Sequence, residues 1–428
     1  MTEQNIQKTY LGPFLTMVFL FFIVGFLTTA NTQFQGPLKA AFLSDAGDFK
    51  NTMATMITFS WFLAYPVFGN VGARLVNKTG YKGTLVRGLM LMIVGIILLF
   101  ASSWITGKMP SALMAIDGGF VHIGFFVFLL GSFVVGGSAT VLQVVINPYL
   151  TACYVRGTQS VQRMAIGGTS NSIGTTLAPY FVSGIVFGGL SMEEVRVSQL
   201  MVPFAALAIV LVVVAVVLMR LELPDLSNTH TTEGERLERS VWSFRHLTLG
   251  VVAIFFYVGC EVCIGGNINL YVLGDYGGDV ATATWMATLY WGGLLVGRLL
   301  GSCFSKISPR TQLTFTTSMA FVLVILAMVF NDPWILVAVG LFHSIMWGAI
   351  FTLAVAHLGK YTSIASGVFM IGVMGGAILP LAQGMMADVL GEWRWSWSLV
   401  LVGEVMMFFY ARWGSRIRPS DMMVNIEK

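Results

Sequence analysis

Charged residues are scarce in this chain. Only 10% of its 428 residues are charged, whereas 56% are hydrophobic. Soluble globular proteins carry about 25% charged residues, so the composition excludes a soluble domain and indicates a protein that crosses a membrane many times. The lysines and arginines fall between the apolar runs rather than in a basic patch with interleaved aromatics. We therefore expect the lipid bilayer, and no nucleic acid, as a partner.

Cysteines and catalytic motifs are also in short supply. The 4 cysteines all lie in or beside apolar runs, where a thiol behaves as a small hydrophobic group, so they indicate no redox compartment. The chain contains neither a Gly-x-Ser-x-Gly nor a His-Glu-x-x-His motif, and it has no pair of aspartates within an apolar run. We expect neither an enzyme nor a bound cofactor.

Long apolar runs, uncharged throughout the first half, divide the chain into twelve segments, each able to supply the roughly 20 residues that a helix needs to cross a bilayer. They fall at 9–38, 51–73, 88–107, 118–155, 164–192, 197–219, 247–273, 280–304, 311–331, 333–359, 361–387 and 395–414. We number them spans 1 to 12. The sequence thus predicts an all-α membrane protein with twelve transmembrane helices. An N-terminal six-helix bundle covers 1–221, a polar linker 222–245, and a C-terminal six-helix bundle with a short tail 246–428.

The distribution of basic residues predicts the orientation. If the N-terminus is placed inside, nineteen of the 24 lysines and arginines fall in the inner loops and termini. Basic residues accumulate in the cytoplasmic loops of membrane proteins, so both termini and the linker are expected in the cytoplasm.

Two features recur at an offset of six spans. Gly174 precedes Pro179 by five residues in span 5, and Gly375 precedes Pro380 by five in span 11. Basic loops that contain glycine also follow both span 2 and span 8. This repetition predicts two similar halves related by an axis along the membrane normal.

Span 7 contains the most informative residue, Glu261. A charge in hydrocarbon costs at least about 2.5 kcal/mol, so this carboxyl needs a wet cavity, a partner or a proton. Gly265 and Gly266 follow it, and we expect this pair to loosen the helix and expose backbone oxygens. Glu261 is our candidate for coupling to a cation; the alternative is a carboxyl held by hydrogen bonds for packing alone.

Amide side chains recur within the predicted spans. Amides offer donors and acceptors that suit hydroxyl groups, and we expect a neutral, polyhydroxylated ligand, because an anion would require arginine, which we place only in loops. The alternative is that the amides join helices. For His343 and Glu404, also within spans, the sequence does not decide between structural and functional roles. The candidate substrate residues are Asn31, Gln33, Gln143, Asn147, Asn171, Asn267 and Gln383.

Several motifs resemble the fucose, glucose and galactose permeases of the major facilitator superfamily, and the glucose/galactose branch in particular. They are Leu142-Gln143 with Asn147-Pro148-Tyr149 in span 4, Asn171-Ser172-Ile-Gly174 in span 5, Tyr257-Val-Gly259-x-Glu261 in span 7 and Gly375-Gly-Ala-Ile-x-Pro380 in span 11. The resemblance extends from span 1 to span 12.

This resemblance implies a transporter that takes up a hexose across the bacterial inner membrane by alternating access. We also expect a monomer, with H⁺ or Na⁺ as the coupling cation. Fucose permeases of the proton-coupled type carry membrane acids where this chain has Thr32 and Gln143. The alternatives are therefore an uncoupled sugar facilitator, or a transporter of fucose, an amino sugar or another small neutral solute. A sensor built on the same fold is disfavoured, because the linker is short.

Overall fold

The computed structural model describes residues 10–43, 46–116, 119–158, 160–188, 190, 194–223, 239–302, 307–358 and 361–422. The helices of the first half are α1 (Leu11–Gln33), α2 (Gln35–Phe42), α3 (Lys50–Lys108), α4 (Ile123–Ala152), α5 (Ser160–Tyr180) and α6 (Met201–Arg220). An antiparallel hairpin of β1 (Leu113–Ile116) and β2 (Gly119–His122) lies between α3 and α4.

Helices also make up the second half. They are α7 (Arg245–Tyr271), α8 (Val280–Ser302), α9 (Pro309–Phe330), α10 (Pro333–His343), α11 (Met346–Ala354), α12 (Thr362–Phe369), α13 (Gly375–Leu390) and α14 (Ser398–Phe409). Short π-helical turns extend α5, α7 and α14, and a 3-10 turn over Met370–Met374 joins α12 to α13. Polar side chains immediately before several helices cap them. For example, the Asp332 carboxylate accepts the Trp334 N–H at the start of α10.

These helices confirm the predicted twelve-span architecture. Spans 1, 10 and 11 are each built from two consecutive helices, and α3 contains both span 2 and span 3. Within the described residues, eight stretches are long and apolar enough to cross a membrane by length and composition: Leu11–Gln33, Lys78–Lys108, Ile123–Asn147, Val197–Arg220, Arg245–Tyr276, Pro309–Phe330, Pro333–Ala354 and Gly367–Leu390. Most of the predicted linker, 224–238, and both chain ends, 1–9 and 423–428, lie outside the described residues.

Two boundaries differ from the sequence prediction. The loop expected between spans 2 and 3 is almost entirely helical, and α3 consists of two helices that meet at a kink at Gly80, with φ 66° and ψ 179°. Glycine has no Cβ and tolerates this positive φ. The run predicted to start span 4 at residue 118 instead enters a β-hairpin, and α4 begins at Ile123, where the His122 ring accepts the Gly124 N–H.

Because the spans alternate in direction, their ends fall on two faces. We call one the hairpin side; it includes β1 and β2, the start of α3 and the end of α13. The other, the linker side, holds both ends of the linker, and there Arg239 forms an ion pair with Asp421 at 3.1 Å. Between the halves, α3 packs against α13, α5 against α8 and α1 against α7. Polar side chains at these three junctions define the candidate site.

Candidate substrate and coupling site

The first junction joins α1 to α7 through buried amides. Gln33 Nε2 donates to the Gly265 carbonyl oxygen at 2.9 Å, and Asn269 Nδ2 donates to Gln33 Oε1. Both side chains are buried, and the sequence separation between Gln33 and its partners exceeds 200 residues. Gln33 therefore lies where the two halves of the molecule meet.

The glycine pair beyond Glu261 does not loosen the helix. α7 is helical without interruption from Arg245 to Tyr271, so the predicted exposure of backbone oxygens is wrong. The glycines instead allow close packing, because a Cβ at Gly265 would overlap the Trp291 ring. Trp291 Nε1 also donates to the Gly265 carbonyl oxygen at 3.3 Å. This carbonyl thus accepts from both an amide and an indole.

A second amide pair joins α7 to α13. Asn267 Nδ2 donates to Gln383 Oε1 at 2.9 Å, and both side chains are completely buried. Their remaining polar atoms, Asn267 Oδ1 and Gln383 Nε2, have no hydrogen-bond partner among the described residues. The same holds for Asn269 Oδ1 and Gln35 Oε1 nearby. Leaving a buried polar atom unpaired costs about 1–3 kcal/mol, so these donors and acceptors are candidates for contacts with a polar ligand.

Gln143 lies on α4, in the N-terminal half of the molecule. Its Nε2 donates to the Tyr65 hydroxyl at 2.7 Å, and the Tyr65 ring stacks on Phe62. A Cβ at Gly376 would touch the Phe62 ring, so this aromatic pair reaches towards the second half. Asn147, four residues after Gln143 and thus on the same face of α4, is half-buried.

Two of the predicted substrate residues are engaged within the first half instead. Asn31 Nδ2 donates to the Ile57 carbonyl oxygen at 3.1 Å, and its Oδ1 accepts from Ser132 at 2.7 Å. Asn171 Nδ2 donates to the Phe21 carbonyl oxygen at 2.9 Å. The structure therefore pairs Gln33 with α7 and Asn267 with Gln383, and it engages Asn31 and Asn171 within the first half.

Glu261 is half-buried and faces a hydroxyl and a cation. Tyr257, one turn earlier on α7, places its hydroxyl 3.1 Å from Glu261 Oε1, and Arg298 interacts electrostatically with the same carboxyl. The sequence interpretation placed arginine only in loops, and this is wrong for Arg298, which lies within α8. Its Nη1 donates to Ser172 Oγ of α5 at 2.6 Å, so it also joins the halves. The long arginine side chain allows a position near a helix end to reach the interior.

A second buried carboxyl, that of Glu404, is linked to the surroundings of Glu261 through His343. Glu404 of α14 and His343 of α10 are fully buried, with Glu404 Oε1 2.7 Å from His343 Nε2. The other ring nitrogen, Nδ1, lies 2.9 Å from the Tyr290 hydroxyl. Glu404 Oε2 has no partner among the described residues. The two residues whose roles the sequence left undecided are therefore direct partners.

A contact between the halves on the hairpin side was not predicted. Asp388, at the end of α13, accepts hydrogen bonds from Asn51 Nδ2 at 2.7 Å and from Thr52 Oγ1 at 2.6 Å. Lys39 Nζ donates to Asn51 Oδ1 at 2.5 Å. Asn51 and Thr52 precede the first long apolar part of α3, and no sequence motif marks Asp388 as their partner.

Comparisons with known proteins agree with this fold. Residues 21–379 match the model of the Major Facilitator Superfamily. A "Glucose/galactose transporter" of Brucella abortus biovar 1 is 31% identical over 423 residues, covering 97% of each chain. An "L-fucose-proton symporter" of Escherichia coli is 22% identical, covering 96% of this chain and 94% of its own.

Solved structures also resemble this one. A crystal structure of the transporter FucP in its outward conformation has a TM-score of 0.68 at 20% identity and covers 96% of this chain and 100% of its own. A crystal structure of a D-xylose-proton symporter has a TM-score of 0.70 at 13% identity and covers 95% of this chain and 99% of its own. At these identities the likeness concerns the fold alone.

Proposed function

The chain belongs to the Major Facilitator Superfamily, and on that premise we propose that it is a secondary transporter that carries a neutral hexose across the membrane by alternating access. The observation that carries the proposal is the presence of two buried amide pairs, Gln33–Asn269 between α1 and α7 and Asn267–Gln383 between α7 and α13. Their unpaired atoms include acceptors (Asn267 Oδ1, Asn269 Oδ1) and a donor (Gln383 Nε2). A sugar hydroxyl both donates and accepts, so a pyranose complements this mixture better than a purely anionic or cationic ligand.

The residues are assigned separate roles in this proposal. We assign the binding of sugar hydroxyls to Gln33, Asn267 and Gln383 of α1, α7 and α13, together with Gln143 and Asn147 of α4. Trp291 and the half-buried Trp347 offer indole faces for the apolar face of the ring. Asn31 and Asn171, whose amides bond to backbone within the first half, hold α1 against its neighbours.

Glu261 is proposed as the coupling carboxyl, and the proton as its ion. Two similar proteins have names that include their coupling ion, and both are called proton symporters, which supports this choice. The geometry around Glu261 supports it too. Sodium binds several oxygens at once, whereas the Glu261 carboxyl is flanked by one hydroxyl and a guanidinium; a proton needs only the carboxylate itself.

The proposed setting is the cytoplasmic membrane, with the protein acting as a monomer and its linker side in the cytoplasm. The nineteen basic residues of that side support this orientation. A reporter fused after Thr231, in the part of the linker outside the described residues, should report a cytoplasmic position. A periplasmic signal would reverse the orientation.

The test of function is uptake of a radiolabelled hexose into proteoliposomes under separate proton and sodium gradients. Accumulation driven by the proton gradient is expected, and in Glu261→Gln it should be lost while exchange of sugar at equal concentrations persists. Asp279→Asn, in an exposed loop on the hairpin side, is the control for removal of a carboxylate. Uptake that only equilibrates under either gradient would indicate an uncoupled facilitator, and accumulation on sodium alone would reassign the ion.

A further inference from the structure

The Tyr257 hydroxyl lies between two acceptors. It is 3.1 Å from Glu261 Oε1 on its own helix and 3.0 Å from the carbonyl oxygen of His343 at the end of α10. A phenol carries one proton, so it can donate one hydrogen bond at a time. Which acceptor receives that proton therefore depends on whether Glu261 has a proton of its own.

The two protonation states give different hydrogen-bond patterns. When Glu261 is ionised, its carboxylate is the stronger acceptor and takes the Tyr257 proton, because hydrogen bonds to charged groups are about twice as strong as neutral ones. The His343 carbonyl then loses its donor. When Glu261 binds a proton, the carboxyl can donate to the Tyr257 oxygen, and Tyr257 can donate to the His343 carbonyl, so all three groups are satisfied. The bound proton stays on Glu261, and only the hydroxyl of Tyr257 rotates.

The His343 carbonyl lies at a break in the span. α10 ends at His343, the next two residues are not α-helical, and α11 starts at Met346. A helix end leaves carbonyl oxygens without partners in the helix, and they need donors from elsewhere. Tyr257 supplies one for His343, and Arg298 Nε supplies another for Ser344 at 3.2 Å. The break in span 10 is thus held by α7 and α8.

The other charged and titratable groups around Glu261 fit this picture. Arg298 of α8 and the His343 ring of α10 interact electrostatically with Glu261, and Glu404 of α14 lies beyond His343. Tyr290 of α8 shows the converse arrangement: its hydroxyl is 2.9 Å from the His343 ring and 3.2 Å from the carbonyl oxygen of Glu261. Each tyrosine thus connects one titratable side chain to the backbone of the other residue.

We infer that Tyr257 is a positioning residue that transmits the protonation state of Glu261 to the break in span 10. The inference rests on the proposed coupling role of Glu261. Protonation of the carboxyl turns the Tyr257 hydroxyl to the His343 carbonyl and ties α7 to the end of α10, and loss of the proton releases that bond. In this way one proton changes the contact between two spans without a charge crossing Tyr257.

The transport experiment compares Tyr257→Phe with Tyr271→Phe in proteoliposomes. Tyr271 is a matched control, since it lies on α7, is buried, and donates one hydrogen bond, to Asn331 Oδ1 at 2.7 Å, outside the site. Proton-driven accumulation should fall about tenfold in Tyr257→Phe, as expected for one lost hydrogen bond to a charged group, while sugar exchange persists. Tyr271→Phe should accumulate sugar as the wild type does. Full accumulation by Tyr257→Phe would overturn the inference.

Infrared difference spectra, recorded as the pH is changed, test the contact itself. The carboxyl band that Glu261→Gln removes belongs to Glu261; in Tyr257→Phe it should shift to higher frequency, because the protonated carboxyl has lost the oxygen to which it donates. With ¹³C-labelled histidine carbonyls, the amide change assigned to His343 should vanish in Tyr257→Phe. Bands that are the same in Tyr257→Phe and the wild type would overturn the inference. Accumulation of sugar by Glu261→Gln would refute only the proposed coupling role of Glu261. The infrared bands test the Tyr257 contact separately, because they do not depend on transport.

Discussion

Asp388 caps a helix that belongs to the other half of the molecule, with Asp388 Oδ2 2.7 Å from the Thr52 backbone nitrogen. Its Oδ1 also accepts the Asn51 N–H at 3.2 Å. These N–H groups are the second and third of α3, which a side chain at the preceding position normally satisfies. Phe49 occupies that position and has no suitable atom. The start of α3 therefore depends on α13, and this cap joins the two halves on the hairpin side.

The first prediction concerns this cap. Asp388→Ala should weaken closure of the hairpin side by about 1–2 kcal/mol, the usual value of a helix cap. The measurement is the labelling rate of Thr55→Cys, a buried position beside Gly384 at this junction, with a membrane-impermeant thiol reagent. The rate should rise about five- to thirtyfold in a background without the natural cysteines.

Asp332→Ala is the matched control for the cap. Asp332 caps α10 within its own half, through the Trp334 N–H at 2.9 Å. Its loss should lower stability without changing the labelling of Thr55→Cys. Equal labelling rates in the two variants would mean that Asp388 does not hold the halves together.

The second prediction concerns the buried pair of His343 and Glu404. Removing one member leaves the other buried without its partner, so His343→Leu and Glu404→Leu should each lower the free energy of unfolding by about 3–5 kcal/mol. The double variant should lose clearly less free energy of unfolding than the sum of the two single losses, because it leaves neither side chain buried without its partner. Thermal unfolding in detergent gives the comparison. Additive losses would mean that the contact contributes no coupling energy.

The third prediction separates substrate residues from packing residues. Gln143→Ala should weaken hexose binding by about 1–3 kcal/mol, because the sugar hydroxyl loses its partner. Asn31→Ala should leave the affinity of the folded protein unchanged but lower its thermal stability, since both ends of that amide are bonded within the first half. Binding is measured by calorimetry on purified protein. Unchanged affinity in Gln143→Ala would remove Gln143 from the site.

The fourth prediction concerns the close approach at Gly265. A methyl group there would overlap the Trp291 ring, so Gly265→Ala should destabilise the protein by about 1–3 kcal/mol and reduce uptake. Gly168→Ala is the control, because a Cβ at Gly168 meets nothing within 4 Å. Wild-type stability in Gly265→Ala would mean that α7 and α8 separate easily at this point.

The sequence by itself determined the twelve spans and their division into two halves. In lipid the backbone of each span must satisfy its own hydrogen bonds, so a long apolar run becomes a helix whatever its neighbours are. It also singled out Glu261 as a candidate, because a carboxyl within an apolar run needs a partner, a wet cavity or a proton in any fold. The glycine pair after it was misread, since glycine permits either a loosened helix or close packing, and only the position of Trp291 decided between them.

The tertiary structure alone decided which polar residues meet. Asn31 and Gln33 are two positions apart on α1, yet one bonds within its own half and the other reaches α7, because the rotation of a helix is set by the surfaces packed around it. Asp388 and Asn51 are 337 positions apart, and His343 and Glu404 are 61 apart. Such partners leave no local pattern in a sequence, since each side chain satisfies its polar atoms with whatever the folded chain places within 3 Å of it.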